Sequence, residues 1–222
     1  MRGALAALVV VGCGRVDFTP PGDAVFVRDG GFPVRLLTVG SPGSYPAGML
    51  DAWLQANTVE LVRIPDNGSI IDFTSFDVVL FESLADSHDS GVAQGLADWV
   101  TAGGSFASVA AYNPNDDTAY NTLLASIGVQ LSGNLDGTVT TFVRHPTTDG
   151  VLAVPFKGGY VVTGTGTTVA TLGGQPVGVA GELGRGRYFV WGDEWITYDS
   201  QWGMPYVDRF WLDIMRWLSH QT

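Results

Sequence analysis

Acidic and amide side chains follow several apolar, strand-like runs of the chain. Glu82 lies near the end of the run 77–83, and Asp193 and Glu194 follow the run 188–191 after a single glycine. Because the carboxyl ends of parallel strands meet at one edge of a sheet, we expect these side chains to line a common crevice. The candidate crevice residues are Glu82, His88, Asp89, Asn113, Asn115, Asp116, Asp117, Asp193, Glu194, Tyr198 and Asp199.

Two kinds of chemistry suit such a set. Carboxylate and amide oxygens are ligands for calcium, which takes about 6–8 oxygens, although residues 113–117 (NPNDD) lack the glycine and the glutamate of an EF-hand loop. Two carboxyl groups roughly 5–9.5 Å apart, with separated pKa values, would hydrolyse glycosides. In that case Asp193 or Glu194 would be the acid and Asp116 or Asp117 the base.

Two further interpretations need no reaction. Trp195 and Trp202 flank the acids and could stack on a sugar ring, or they could belong to the core. Asp193 and Glu194 could bond to backbone amides and fix the loop before the last helix, which is the most economical account of them. Among cofactors, the sequence indicates calcium alone as a candidate ligand of the crevice.

The three histidines differ in their surroundings. His145 precedes a proline, which favours an extended backbone, so we interpret it as a turn residue. His220 lies near the C-terminus and is expected to be solvated. His88, between Ser87 and Asp89, is the histidine best placed for chemistry.

Composition bounds the class of protein. The chain has 222 residues, with 11 Lys and Arg against 22 Asp and Glu, for a formal net charge of -11. A length of this order suits one globular domain, or one domain with a short leader. The negative charge repels phosphate backbones, so nucleic acid is not expected as a partner.

The first residues resemble an export signal. One basic residue, Arg2, precedes the apolar run 4–11, and the only cysteine of the chain, Cys13, follows in the sequence VVGC. This pattern resembles a bacterial lipobox, which predicts a signal peptide over 1–12 and a lipidated N-terminus and tether over 13–32. A buried first strand or a mis-assigned start site would also explain these residues. With Gly14 after the cysteine, the expected location is the outer membrane.

Strand and helix patterns alternate over the first half of the domain. Strands are predicted at 34–40, 59–64, 77–83 and 105–113, and helices at 47–55, from Ser90 to about 102, and at 120–128. From about 129 the pattern changes to strands alone, predicted at 138–144, 160–166, 167–173, 176–183 and 187–193. A helix over 207–221 closes the chain.

This order predicts an α/β fold. Alternating units, a β-rich insertion in the C-terminal half, and then a strand and a helix are typical of a sandwich with a mainly parallel central sheet. The whole of 33–222 is expected to form one domain.

Four segments resemble the class I glutamine amidotransferase-like superfamily. They are 76–83 (FDVVLFES), 96–113 (LADWVTAGGSFASVAAYN), 145–151 (HPTTDGV) and 181–195 (GELGRGRYFVWGDEW). The resemblance implies a flavodoxin-like three-layer sandwich. It also implies a nucleophile on the turn after the strand that begins at 105.

The chain departs from that family where chemistry is concerned. Ala110 lies at the expected nucleophile position and Ser108 is out of register. The residues directly after the last strand, Gly192, Asp193 and Glu194, include no counterpart of the family's histidine. The resemblance therefore implies a degenerate, non-catalytic member. We expect a binding or interaction module of the cell envelope, held by its lipid and contacting an envelope protein or glycan. The alternative is a hydrolase of carbohydrates or esters that uses the crevice carboxylates.

Overall fold

The computed structural model describes residues 31–40, 47–66, 71–84, 90–110 and 117–221. Its strands are β1 (Phe32–Val39), β2 (Thr58–Ile64), β3 (Val78–Glu82), β4 (Ser105–Val109), β5 (Val129–Val139), β6 (Thr141–Phe142), β7 (Val154–Gly164), β8 (Thr167–Leu172), β9 (Gln175–Leu183) and β10 (Gly186–Trp191). Its helices are α1 (Gly48–Asn57), α2 (Ser90–Ala102), α3 (Thr118–Leu124) and α4 (Val207–Leu218), with 3-10 turns at Ala125–Ile127, Pro146–Thr148 and Glu194–Thr197.

The main sheet has eight strands in the order β2-β1-β3-β4-β10-β9-β8-β6. The first five strands of that order are parallel to one another. The last three are added antiparallel, beginning with the β9–β10 hairpin. The expected mixed α/β fold with a mainly parallel sheet is therefore confirmed at this level.

Helices cover both faces of the sheet because its strands are apolar on both sides. On β1, Leu36 belongs to a core shared with α1 and α4, whereas the next residue, Leu37, belongs to a core shared with α2 and α3. This alternation follows from the two-residue repeat of a strand. The sheet is thus enclosed, and its functional surfaces are its edges and the loops that follow its strands.

The β-rich segment between α3 and β10 divides in two. Strands β5 and β7 form a separate antiparallel sheet, and β6, β8 and β9 extend the main one. The predicted strand at 138–144 is wrong in its bounds: residues up to Val139 belong to β5, and β6 has two residues. The predicted helix at 120–128 is confirmed in the main, since α3 continues as a 3-10 turn and ends at Gly128, which has φ of 72°.

The last helix is buried on several sides. Trp211 and Phe210 of α4 pack on the sheet, where the Phe210 ring lies 4.9 Å from that of Trp191. The segment 145–151 contains the 3-10 turn Pro146–Thr148, and this turn packs against the outer side of the same helix. No helix in the described part of the chain is long and apolar enough to cross a bilayer.

Candidate functional site

The carboxyl ends of the parallel strands converge at one edge of the main sheet. Strand β3 ends at Glu82, and β10 leads through Gly192 into Asp193 and Glu194. Gly40 follows β1 with φ of 125°, and a Cβ added there would lie 1.6 Å from the Glu82 carbonyl oxygen. A side chain at position 40 would therefore separate β1 from β3 at the point where the acids meet.

Glu82 is fully buried and forms an ion pair with an arginine from the edge strand. Arg63 Nη1 of β2 donates to Glu82 Oε1 at 2.6 Å, and Arg63 Nη2 donates to Asp51 of α1. Burial raises the pKa of Glu82, and the Arg63 guanidinium opposes the rise. Glu82 Oε2 and the Thr38 hydroxyl are both buried without a hydrogen-bond partner among the described residues.

Glu194 accepts hydrogen bonds from two hydroxyl groups. Ser83, which directly follows β3, donates to Oε2. Tyr198 donates to Oε1 from one turn further along the chain. Ser83 has φ of 46°, a left-handed conformation that is rare for a residue with a side chain. The carboxylate of Glu194 thus connects the ends of β3 and β10.

Asp193 is fully buried and accepts two backbone hydrogen bonds. Its Oδ2 accepts from the Lys157 amide of β7 at 2.6 Å, and its Oδ1 accepts from the Trp195 amide at 3.0 Å. Burial raises the pKa of Asp193 to about 8, against the opposing effect of these two amides. Since the Tyr160 amide also donates to the Gly192 carbonyl at 2.7 Å, this segment joins the small β5–β7 sheet to the main one.

Asp199 caps a helix. Its Oδ1 accepts from the Met49 amide at 2.7 Å, at the start of α1, where the residue before the helix makes no side-chain cap of its own. A carboxylate at this position accepts from an otherwise unpaired backbone amide, and its negative charge interacts favourably with the positive end of the helix dipole. Asp199 therefore fixes α1 to the loop that follows β10.

The structure brings together five of the predicted crevice residues: Glu82, Asp193, Glu194, Tyr198 and Asp199. Asp117 lies at the start of α3 and makes no side-chain cap there. The remaining five, His88, Asp89, Asn113, Asn115 and Asp116, lie outside the described residues, as does Cys13. Within the described ranges, no group of three or more His, Cys, Asp or Glu side chains is arranged to hold a metal ion.

Sequence reasoning missed the partners of these acids. Arg63, Asp51 and Ser83 were not among the candidates, although Arg63 is the one basic residue within the otherwise largely apolar run 59–64. An isolated charge in a predicted strand is a usable signal, because it needs a partner when the strand is covered by a helix.

The aromatic residues near the acids contribute mainly to packing. Trp191 is fully buried in β10. Trp202 is partly buried, with its ring 5.9 Å from that of Trp53, and the Trp195 ring lies 5.2 Å from that of Tyr198.

At the expected nucleophile position, Ala110 is fully buried. The nearby Ser108 is also fully buried in β4, and its hydroxyl has no hydrogen-bond partner in the described part of the chain. Neither residue offers a nucleophile to a substrate outside the sheet.

No protein-family model matches the chain, and no curated protein matches it significantly. Several solved structures share its fold. The mmIFT52 N-terminal domain has a TM-score of 0.68 at 13% identity, over 83% of this chain and 97% of that one. A cytoplasmic protein from Salmonella typhimurium LT2 has a TM-score of 0.62 at 16% identity, over 83% and 99%.

A larger enzyme contains a similar unit. The β-galactosidase from Rahnella sp. R3 has a TM-score of 0.54 at 16% identity, over 82% of this chain and 31% of the enzyme. The chain therefore spans about a third of that enzyme's length. At these identities the likeness shows a shared fold and carries no information about activity.

Proposed function

We propose that the chain is a non-catalytic binding or interaction module of the bacterial cell envelope, anchored through a lipid on Cys13. The observation that carries the non-catalytic part is that each acid gathered at the sheet edge is held by protein donors. Asp193 accepts from two backbone amides, Glu194 from two hydroxyls, and Asp199 from the start of α1. Acids engaged in this way stabilise loops.

Burial supports the same proposal. Glu82 and Asp193 are 0% exposed, and Glu194 is 5% exposed. A general acid or base has to come within hydrogen-bond reach of a substrate atom, directly or through one water. Side chains enclosed to this degree do not reach a glycoside or an ester at the protein surface.

We also propose that the fold is flavodoxin-like and that the chain is a degenerate relative of the glutamine amidotransferase-like proteins. The parallel strands follow the order β2-β1-β3-β4-β10, which matches the 2-1-3-4-5 order of flavodoxin-like sheets. Ala110 in place of a cysteine nucleophile supports the loss of acyl-transfer chemistry.

The alternative, a hydrolase that uses crevice carboxylates, has one observation in its favour. The pKa values of Glu82 and Asp193 are both raised, and perturbed carboxyl groups concentrate at active sites. The test is hydrolysis of a panel of nitrophenyl glycosides and esters by wild type, Asp193→Asn and Glu82→Gln. The module predicts no turnover by any of the three. Turnover by wild type that both variants abolish while remaining folded would establish the enzyme instead.

Anchoring is tested by the mass and membrane partition of the mature protein. A lipidated wild type loses its first twelve residues, gains acyl mass and sediments with membranes, whereas Cys13→Ala stays unprocessed and unacylated. Full-length, soluble protein in both cases would remove the envelope from the proposal. If the wild type is anchored, binding partners are sought by sedimentation of the purified chain with isolated envelope glycans, with and without calcium.

A further inference from the structure

A second site of interest lies on the outer side of α4, away from the buried acids. A pocket of about 470 Å³ is lined by residues of this helix and of the segment 144–149. Its charged and polar lining residues are Arg144, His145, Asp149, Arg209, Asp213 and Arg216. Three of the lining residues are arginines, on a chain whose formal net charge is -11.

Two of the three arginines have no ion pair within the described residues, although Arg216 lies near enough to Asp213 to oppose the rise that burial causes in the pKa of that carboxyl group. Arg209 is oriented by carboxylates, with its Nε 2.9 Å from Asp213 Oδ2 and its Nη2 3.8 Å from Asp149 Oδ2. Arg144 and Arg216 make no ion pair with any residue that the structure describes. Arg144 is exposed and Arg216 is half-buried.

His145 adds an oriented donor. Its Nδ1 accepts from the Thr147 amide at 3.2 Å, so the ring proton of the neutral imidazole lies on Nε2. Burial lowers the pKa of His145, and the Arg187 guanidinium lowers it further, which keeps the ring neutral at pH 7. The ring is fixed by edge contact with Trp217, 4.7 Å between centroids.

We propose that this pocket binds the phosphate group of a small ligand, through Arg144, Arg216, Arg209 and the Nε2–H group of His145. The pocket holds three arginines against two aspartates, Asp149 and Asp213, and both aspartates are paired with Arg209, so the excess of positive charge favours an anionic ligand. Guanidinium groups match phosphate oxygens in geometry and in charge. The proposal is independent of the anchoring and of the non-catalytic assignment.

A tetrahedral oxyanion fits better than a planar one. The donors come from two separate elements, the 144–149 segment and α4, and so approach the pocket from different sides. A phosphate group presents three terminal oxygens in three directions, whereas a carboxylate presents two in one plane. We therefore expect inorganic phosphate and glycerol 3-phosphate to bind more tightly than acetate.

The first experiment is calorimetric titration of the full chain at pH 7 and about 50 mM salt. The titrants are inorganic phosphate, glycerol 3-phosphate and acetate. Tighter binding of the ester than of inorganic phosphate would indicate that the pocket recognises a phosphate monoester. Tighter binding of inorganic phosphate would identify the free ion as the ligand. Either result supports the proposal, whereas acetate binding as tightly as both would overturn it.

The matched variants separate this pocket from general charge effects. Arg144→Gln with Arg216→Gln removes two positive charges at the pocket. Arg35→Gln with Arg185→Gln removes two elsewhere. Because hydrogen bonds to charged groups contribute strongly, we expect the first pair to weaken phosphate binding roughly tenfold or more, and the second by less than about twofold. An equal loss in both pairs would overturn the proposal.

A measurement on wild-type protein covers the case in which the pocket variant fails to fold. The imidazole signals of His145 and His220 are followed by nuclear magnetic resonance during phosphate titration, and each is assigned by its single glutamine variant. His220 is exposed and lies outside this pocket. A saturable shift of His145 alone supports the site. Equal shifts of both histidines, or no shift of either at about 10 mM phosphate, refute it.

Discussion

The buried carboxyl group of Asp193 makes a specific prediction about stability and pH. Burial raises its pKa from 3.8 to about 8 in the native state, whereas the unfolded chain keeps the ordinary value. Between these two values the native state binds one proton more than the unfolded state. The free energy of unfolding therefore falls as pH rises, by about 1.4 kcal/mol for each pH unit.

The size of the effect follows from that slope. From about pH 5 to about pH 7, a single proton of this kind costs the native state about 3 kcal/mol. In Asp193→Asn the titrating group is gone, so this part of the pH dependence disappears. The variant is less stable at pH 5 by roughly 1–3 kcal/mol, because the amide nitrogen that replaces one carboxyl oxygen cannot accept a hydrogen bond from the Lys157 or Trp195 amide. The two proteins should therefore approach each other in stability as pH rises.

The assay is urea denaturation followed by tryptophan fluorescence, at constant ionic strength and several values between pH 5 and 7. Asp98→Asn, at an exposed position of α2, is the matched loss of a surface carboxylate. Parallel curves for wild type and Asp193→Asn would refute the reasoning. Such a result would mean that the Lys157 and Trp195 amides keep Asp193 ionised despite its burial.

Two other substitutions test the geometry of the same edge. Arg63→Met leaves the buried Glu82 without its counter-charge and should lower the free energy of unfolding by on the order of 3–5 kcal/mol. Adding Glu82→Gln in the same background should restore part of that stability. Strictly additive losses in this double-mutant cycle would contradict the ion pair. Gly40→Ala should cost more than about 2 kcal/mol, since its Cβ would overlap the Glu82 carbonyl. The control is Gly95→Ala in α2, whose new Cβ meets no atom within 4 Å and should raise the free energy of unfolding, measured by urea denaturation, by about 0.5–1 kcal/mol. If Gly40→Ala is as stable as the wild type, the ends of β1 and β3 can separate and the reasoning is wrong.

Periodicity was sufficient to predict most of the elements of the main sheet. The run 77–83 and the run before Asp193 are continuous and apolar, as expected for strands buried on both faces, and they form β3 and β10. Most of strand β5, up to Gly137, was not predicted, because most of its side chains are exposed and polar. It is held by pairing with β7, an interaction that leaves little trace in the hydrophobicity of β5 itself.

The location of the acids was predictable, but their partners were not. The rule that parallel strands end at one edge brings Glu82 and Glu194 together without any knowledge of distances. The bond from Met49 to Asp199, however, joins residues 150 positions apart, and that from Ser83 to Glu194 joins residues 111 apart. Whether an acid is free for chemistry or engaged by a backbone amide depends on such contacts, which one sequence does not encode in any local pattern.

The distribution of charge supports different roles for the two regions. At the sheet edge, Asp193, Glu194 and Asp199 have donors from the protein itself. In the pocket beside α4, Arg144 and Arg216 have no ion pair within the described residues, although 22 acidic residues are available in the chain to provide one. A negative surface repels anions at long range, so an anion that binds here must gain its affinity from short-range contacts. Affinity that depends on short-range contacts favours a ligand whose acceptors match the positions of the donors. The pocket beside α4 is therefore a stronger candidate for specific recognition than the acids at the sheet edge.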